Sequence, residues 1–287
     1  MSDPLQSLFS RCDSVLVFDT ETSGVSWQRD EIIEFSAIRL TASGTEEVDE
    51  FVRCTRSLPP RIVELTGITD DLLREEGIGK QAFAELLAAL LTPGTMLAAY
   101  NAQFDLLFLY AFLQKYGDAR LLQDKQKLDL LTVYRDRRAY PHRLCNAIEQ
   151  YDLQDRVTNS HRAIDDVRAT VEVLRAMGTE RDDLERYVDL FGYSSKYGIS
   201  GPRISSVRYL PQGYEPKAAG EPAAGLPLCA DGGRCTHGLR QDDGRQLVSR
   251  QRGAATLYPH QRLFRPPCHS LAKRAGGLCP RRVPVPA

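Results

Sequence analysis

The stretch that most constrains the fold of this chain is SVLVFDTETSG, residues 14–24. The run SVLVFD (14–19) predicts a buried strand, and it ends in two acids, Asp19 and Glu21, separated by one residue. Alternate side chains of a strand share a face, so both carboxylates point the same way, about 7 Å apart along the backbone. Like charges this close repel unless a positive group lies between them. The strand is therefore expected to end at a site that binds a cation.

The segments that follow predict an α/β domain with a mixed sheet. Two further strand-like runs, EIIEFSAIRL (31–40) and EVDEFVRC (47–54), are joined by a short turn and indicate an antiparallel meander. Helices and strands then alternate, as in the amphipathic KQAFAELLAALL (80–91) and the buried TMLAAY (95–100). A meander followed by such alternation is typical of α/β domains.

Composition divides the chain into a body and a tail. Residues 1–180 are expected to form the main domain. Residues 181–216 are expected to add a helix, RDDLERYVDLFGY, and a strand, ISSVRYLPQ. Residues 217–287 are rich in Gly, Pro, Arg and Ala without sustained periodicity, which predicts a disordered, low-complexity basic tail.

Charge is unevenly distributed, although the formal net charge at pH 7 is only −1. Residues 217–287 carry 12 Lys or Arg against 4 Asp or Glu, so the first 216 residues carry 25 basic and 34 acidic groups, a balance of −9. An acidic body is unlike a protein that coats nucleic acid passively, which needs a basic surface. If this body handles nucleic acid, metal ions must supply much of the positive field.

The cellular location is expected to be cytoplasmic, with no membrane as a partner. The start, MSDPLQSLFSRCDS, lacks the pattern of a secretory signal, and no segment is long and apolar enough to span a bilayer. The 7 cysteines are an odd number and several are isolated, which predicts no disulfide framework.

A third acid falls in YNAQFDLLFLYAFL (100–113), which predicts a helix with Asn101 as its cap. Asp105 lies one turn into this helix, among neighbours that are apolar nearly all round. An acid in such surroundings is costly to ionise unless it is paired or coordinates a metal. The alternative is an acid that simply favours the positive end of a helix.

The segment HRAIDDVRATVEVL (161–174) predicts a helix with two adjacent acids. Helical spacing places Asp166 beside the apolar stripe and Asp165 on the charged, solvated face. His161 falls on the loop that enters the helix. A histidine in such a loop is usually incidental, but its position next to an inward acid favours a functional role.

Together, FDTETSG, NAQFD and HRAIDD resemble the three motifs of the DEDD exonuclease superfamily, in its His-containing, DnaQ-like branch. They match the catalytic positions of that family in order and separation: Asp19, Glu21, Asp105, His161 and Asp166. The resemblance covers roughly residues 13–177. It implies an RNase H-like fold with a mixed five-stranded sheet, and a 3′→5′ exonuclease similar to the epsilon and PolC-type exonucleases of DNA replication and repair.

The resemblance also implies two divalent cations, Mg²⁺ or Mn²⁺, since oxygen ligands suit these ions and not zinc. The cations would offset the repulsion between Asp19 and Glu21. In the family's scheme Asp19 bridges both ions and Asp105 serves one of them. Glu21 and Asp166 hold the ion that carries the nucleophilic water, and His161 is the base that removes its proton.

Further positions match the family's substrate contacts: Thr22, Ser23, Gly24, Leu65, Asn101 and Phe104. The first three resemble contacts to the terminal nucleotide, although Ser23 stands where the family often has Thr. Leu65, in LTGIT (65–69), resembles an apolar wedge against the terminal base, and Phe104 could stack on a base. Packing in the core is the alternative for Leu65 and Phe104.

The implied substrate is the 3′ end of single-stranded DNA, and the implied product is a nucleoside 5′-monophosphate. No polymerase domain is recognisable, so proofreading would need a DNA polymerase subunit as a partner. An RNA-trimming exonuclease of the RNase T or oligoribonuclease type is the second hypothesis, because no residue visibly reads the ribose 2′-OH. An inactive binding subunit is a third, which the retention of the four acids and His161 disfavours.

Overall fold

The computed structural model describes residues 3–157 and 162–212. His161 and residues 217–287 lie outside the described residues, so the position of this histidine and the disorder of the tail stay predictions. The predicted domain boundaries at residues 180 and 216 likewise stay predictions.

The first half of the body supplies most of the sheet. Its elements are α1 (Gln6–Phe9), β1 (Ser14–Thr22), β2 (Ile32–Thr41), β3 (Gly44–Phe51), α2 (Pro60–Thr66), α3 (Asp70–Glu75), α4 (Lys80–Leu90), β4 (Thr95–Ala99) and α5 (Ala102–Tyr116).

The second half begins with a 3₁₀ turn (Ala119–Leu122) and is mainly helical. It continues with β5 (Lys127–Asp129), α6 (Leu130–Arg137), α7 (Leu144–Gln150), α8 (Ala163–Glu180), a second 3₁₀ turn (Leu184–Tyr187), β6 (Leu190–Ser194) and β7 (Arg208–Gln212).

The main sheet has five strands in the order β3-β2-β1-β4-β5. The first three strands pair antiparallel, whereas β1 pairs with β4, and β4 with β5, in parallel. The predicted meander and the mixed five-stranded sheet with flanking helices are therefore confirmed. Because β1, β4 and β5 run in parallel, their carboxyl ends meet at one edge of the sheet.

Both faces of the sheet are buried, which explains why β1 is apolar at consecutive positions. Val15 and Val17 belong to one core, which includes residues of α6 and α8. Leu16 and Phe18 belong to a second core, built with residues of α4 and α5. The side chains of β1 thus alternate between the two helical layers.

The predicted helix over residues 181–193 is wrong. Only a 3₁₀ turn forms there, and the chain then extends as β6. Asp189 accounts for the change, because its amide donates to the Lys127 carbonyl at 2.7 Å and its Oδ1 accepts from the Lys127 amide at 2.9 Å. These bonds hold the segment beside β5 just before β6, which then pairs in parallel with β7.

α8 passes through Gly178 and continues to Glu180. A Cβ at Gly178 would lie 2.2 Å from the Pro4 carbonyl oxygen. The glycine thus allows the N-terminal segment to approach the helix closely, and the residue has no capping role. None of the helices in residues 3–157 and 162–212 has the length and apolar content needed to cross a membrane.

Candidate active site

The carboxyl end of β1 carries Asp19 and Glu21 on the face of the sheet that α8 covers. They continue the row of Val15 and Val17, whose side chains pack in the core that includes α8. Asp166 lies in the first turn of α8. One oxygen from each of the three carboxyl groups lies within 4.8 Å of the other two. The two motifs, nearly 150 residues apart in the chain, therefore converge on one small volume.

Asp105 reaches the same strand end from the opposite helical layer. It is 3% exposed, and its Oδ1 accepts hydrogen bonds from the Thr20 amide at 3.1 Å and the Thr20 hydroxyl at 2.7 Å. Thr20 points away from Asp19 and Glu21 because it occupies the alternate position of β1. The geometry therefore sets Asp105 beside the cluster of three and not within it.

The acids raise one another's pKa. Burial and then the neighbouring acids Asp105 and Asp166 raise the pKa of Asp19 well above its usual range. Burial and the charge of Asp166 raise the pKa of Glu21 to about 9, against a weaker lowering by Arg162. Burial raises the pKa of Asp105 to about 7, although the Thr20 hydrogen bonds lower it.

This donor set fits hard divalent cations. Asp19 and Glu21 form no ion pair within the described residues, so no Lys or Arg side chain there neutralises them by contact. Without a cation, the repulsion between these carboxylates favours their protonated form. A bound ion stabilises the charged form instead. Oxygen ligands at this spacing suit Mg²⁺ or Mn²⁺. The cation expected from the sequence thus has a place in the structure.

Glu34 of β2 is a buried acid next to this cluster, and it is not among the residues predicted from the sequence. It lies directly opposite Glu21 in the antiparallel ladder and is 0% exposed. Its Oε1 accepts from Nε and Nη2 of Arg162 at 2.9 and 2.7 Å, and its Oε2 accepts from the Ala163 amide at 3.1 Å. Glu34 thereby ties the start of α8 to the sheet. The signal in the sequence is an acid between apolar neighbours of a strand, in IIEF (32–35).

Asp129, and not the predicted Asn101, supplies the side-chain cap of α5. Asn101 has a left-handed backbone, with φ of 70°, and its side chain makes no capping hydrogen bond. The Oδ1 of Asp129 accepts from the amides of Asn101 and Ala102 at 3.0 and 3.1 Å. Asp129 can do so because β5 ends next to β4, the strand that leads into α5. Asn101 is exposed, and its role in substrate binding stays a prediction.

The residues Thr22, Ser23 and Gly24 form the turn that leaves β1. The Thr22 hydroxyl donates to the Gly24 carbonyl at 2.6 Å, and the Ser23 hydroxyl accepts from the Glu31 amide at 2.9 Å. A Cβ at Gly24 would lie 2.4 Å from an oxygen of the Asp30 side chain, which would then have to move. These contacts fix the shape of the turn beside Glu21, and its predicted contact with a nucleotide stays a prediction.

The two apolar residues predicted to touch a base differ in their surroundings. Phe104 is partly buried in the second core, and its ring lies 5.0 Å from that of Phe108. Leu65 of α2 is partly exposed and lies outside the small core that its neighbours Ile62 and Val63 join, among the described residues. Packing in the second core thus explains the partial burial of Phe104. Leu65 has no such place in the small core beside it, among the described residues. Their contacts with substrate stay predictions.

Comparison with known proteins agrees with this geometry. The model of the exonuclease family RNase_T matches residues 16–174. The PolC-type DNA polymerase III of Halalkalibacterium halodurans is 35% identical over 179 residues, which are 59% of this chain and 12% of that protein. The epsilon subunit of DNA polymerase III of Treponema pallidum is 32% identical over 166 residues, which are 56% of this chain and 74% of that protein. The chain thus spans only about an eighth of the PolC-type relative.

A solved structure extends the comparison to the fold. The zinc-bound complex of Escherichia coli exonuclease I with single-stranded DNA is 26% identical, with a TM-score of 0.54 over 61% of this chain and 42% of that chain. The family match includes β1, the start of α5 and the start of α8, the elements that carry the four acids. The chain belongs to the RNase_T exonuclease family.

Proposed function

We propose that this chain is a divalent-metal-dependent 3′→5′ exonuclease that hydrolyses single-stranded DNA to nucleoside 5′-monophosphates, in proofreading or repair. The observation that carries the proposal is the convergence of Asp19, Glu21 and Asp166 within 4.8 Å at the carboxyl end of β1. A cluster of this kind is self-repelling without cations, and phosphodiester hydrolysis is the chemistry that paired hard cations serve.

Four carboxylates would hold two ions of Mg²⁺ or Mn²⁺. Asp19, Glu21 and Asp166 offer converging oxygens, and Asp105 offers its carboxylate from the other side of β1. When bound, such ions lower the pKa of a coordinated water and stabilise the charge on the transferred phosphate. The hydrogen bonds from Thr20 fix the carboxylate of Asp105 before any ion arrives.

The protein's own residues would orient the DNA strand and accept the proton of the attacking water. The turn Thr22–Gly24 would receive the terminal nucleotide beside Glu21. His161 would accept the proton of the attacking water at an imidazole nitrogen, while the water oxygen bonds to phosphorus. The bond from phosphorus to the 3′ oxygen of the preceding nucleotide breaks, and that oxygen takes a proton from solvent. The products are a nucleoside 5′-monophosphate and a strand one nucleotide shorter.

DNA is favoured as the substrate because of the relatives. The two described above are named as DNA polymerase III chains, and the exonuclease I structure holds single-stranded DNA. The same names favour a DNA polymerase subunit as a partner of this chain. Neither the DNA preference nor the partner follows from the geometry of the four acids, which any nucleic acid 3′ end could approach.

The test is release of the terminal nucleotide from a 3′-labelled single strand, with DNA and RNA of matched sequence. We expect labelled nucleoside 5′-monophosphate from DNA with Mg²⁺ or Mn²⁺ and none with EDTA. Faster release from RNA would instead favour the RNA-trimming alternative. Absence of release from both strands, with both metals, would refute the proposal.

A matched pair of variants localises the activity. Asp166→Asn should abolish release, whereas Asp165→Asn, which changes the adjacent acid on the charged face of α8, should leave most of it. Asp165 lies 3.6 Å from Arg168 on the surface of the helix, so it serves as a control for charge and position. Equal activity of the two variants would show that the acidic cluster is not the active site.

A further inference from the structure

The loop that joins β6 to β7, residues 195–207, is fastened to the helix that carries Asp105. The Nε2 of Gln103 donates to the carbonyl oxygens of Ser200 and Pro202 at 2.9 and 3.0 Å. Gln103 lies in the first turn of α5, only two positions before Asp105. The β6–β7 loop also lies beyond the span matched by the exonuclease family, which ends at residue 174. Its attachment to the catalytic helix is therefore a feature of this chain outside that match.

Contacts on both sides of this attachment fix the course of the loop. Gly201 has φ of +92°, and a Cβ there would lie 3.0 Å from Cδ1 of Leu107 in α5. The Ile204 amide donates to the Tyr209 hydroxyl at 2.9 Å, and the Tyr209 ring lies edge-on to Phe191 at 5.8 Å. The loop is thus held between α5 and the β6–β7 pair.

The outward side chains of the loop are basic and aromatic. Tyr197 is 68% exposed, and the Nζ of Lys196 lies 5.2 Å from the centre of its ring. Arg203 is exposed, and its guanidinium lies 5.6 Å from the Tyr209 ring. Residues 195–207 contain two Lys or Arg and no Asp or Glu, and Arg208 follows at the start of β7. The loop is therefore a positive surface on a body whose overall charge is negative.

Lysine, arginine and an exposed aromatic ring are the groups that bind single-stranded nucleic acid. Cations contact phosphates, and an aromatic ring stacks on any base because every base has a π-face. The acidic cluster cannot attract a polyanion by itself, so a basic surface near α5 supplies attraction that the site lacks. A strand with its 3′ end at the carboxylates must continue away from them across the protein surface.

We propose that the β6–β7 loop binds the single strand upstream of its 3′ end, with Lys196 and Arg203 on phosphates and Tyr197 against a base. This proposal rests on the proposed exonuclease function and adds a second contact outside the carboxylate site. It predicts that the loop governs affinity for long strands and leaves the hydrolytic step itself to the four acids.

The test compares a 20-nucleotide DNA strand with a small substrate that cannot reach the loop, a nitrophenyl ester of a nucleoside 5′-monophosphate. For Lys196→Ala/Tyr197→Ala we expect the KM for the long strand to rise about tenfold, since stacking and one phosphate contact are lost. Turnover of the long strand at saturation and hydrolysis of the ester should change less than twofold. Arg203→Gln should weaken binding of the strand in EDTA and lower its salt dependence, by about 0.7 in logarithmic slope.

Lys115→Ala is the matched control. Lys115 also lies beside a tyrosine ring, 4.9 Å from that of Tyr116, but twelve residues further along α5 than Gln103. At 1.5 Å of rise per residue, it is about 18 Å away along the helix axis. The control variant loses the same charge and should keep the wild-type KM.

The outcomes separate this proposal from the proposed function. An unchanged KM for the long strand in folded Lys196→Ala/Tyr197→Ala, or an equal loss in Lys115→Ala, would overturn the role of the loop alone. A wild-type protein that hydrolyses neither the strand nor the ester would overturn the exonuclease function on which the proposal rests. Melting curves of each variant confirm that the fold is intact.

Discussion

Glu34 lies directly opposite Glu21 in the β1–β2 ladder, yet the two acids have different surroundings. Glu34 is fully buried and paired with Arg162, whereas Glu21 faces Asp19 and Asp166 without an ion pair among the described residues. Like charges directly opposite on one face of a sheet are destabilising. The arginine offsets this repulsion from one side, and a cation bound by the cluster would offset it from the other.

Glu34 is expected to act as a positioning residue for the metal ligand on α8. Arg162→Ala would leave the buried Glu34 carboxylate without its cation and loosen the start of the helix that carries Asp166. We expect Mn²⁺ affinity to fall about tenfold, the scale typical of residues that support metal ligands. Calorimetric titration with Mn²⁺ measures this directly, and Arg162→Lys should restore part of the affinity.

Arg168 provides the control for this prediction. It also joins α8 to the sheet, through Glu47 of β3, but that pair is exposed to solvent. Exposed ion pairs contribute little, so Arg168→Ala should bind Mn²⁺ like the wild type. Equal losses in Arg162→Ala and Arg168→Ala would show that any contact between α8 and the sheet suffices.

Thr20 is expected to orient Asp105 through its hydroxyl. Thr20→Val removes the 2.7 Å hydrogen bond to Oδ1 and keeps the one from the backbone amide. We expect a loss of about 1–2 kcal/mol in the free energy of unfolding and a clear fall in kcat. Thr20→Ser, which keeps the hydroxyl, should retain most of both. Urea unfolding and steady-state hydrolysis measure the two effects, and a Thr20→Val protein with full kcat would contradict the assigned role.

Stability without metal is expected to fall as pH rises. Burial and neighbouring acids raise the pKa of Glu21 from 4.5 to about 9, and burial raises that of Asp105 to about 7. The folded state therefore holds protons that the unfolded chain releases in this window. The contribution of these two groups to the free energy of unfolding is complete below the pKa values they have in the unfolded chain. It is lost as pH rises through 7 for Asp105 and then through 9 for Glu21.

Cations should reverse this trend, because they bind the ionised carboxylates. We expect the Tm in EDTA to decrease between pH 6 and pH 9, and the increase in Tm produced by Mg²⁺ to grow over the same range. Glu21→Gln should flatten both curves. A Tm in EDTA that rises with pH would mean that the acids are ionised and stabilised without a cation.

Local pattern predicted the acids that cluster at the end of β1 better than the residues that support them. Asp19 and Glu21 follow a strongly apolar strand, and Asp166 falls at a definite angle on an amphipathic helix, so their faces could be inferred from the sequence. The role of Glu34 depends on its strand register and on an arginine 128 positions away. No local pattern encodes such a pairing.

Tertiary contacts also explain the elements that were predicted wrongly. Residues 181–193 have helical spacing, but hydrogen bonds between Asp189 and Lys127 hold that segment beside β5, and its last residues pair with β7. The cap of α5 comes from Asp129 on another strand, and only the adjacency of β4 and β5 makes that contact available. Propensity within a segment cannot anticipate either partner.

The most direct test of the central claim is a Mn²⁺ titration of the wild type and Asp19→Asn, combined with hydrolysis of single-stranded DNA by the same samples. We expect the wild type to bind Mn²⁺ and release nucleoside 5′-monophosphates, and Asp19→Asn to lose at least a hundredfold in both properties while keeping its fold. Wild-type Mn²⁺ affinity and hydrolysis in Asp19→Asn would contradict the assignment of this cluster as the catalytic metal site.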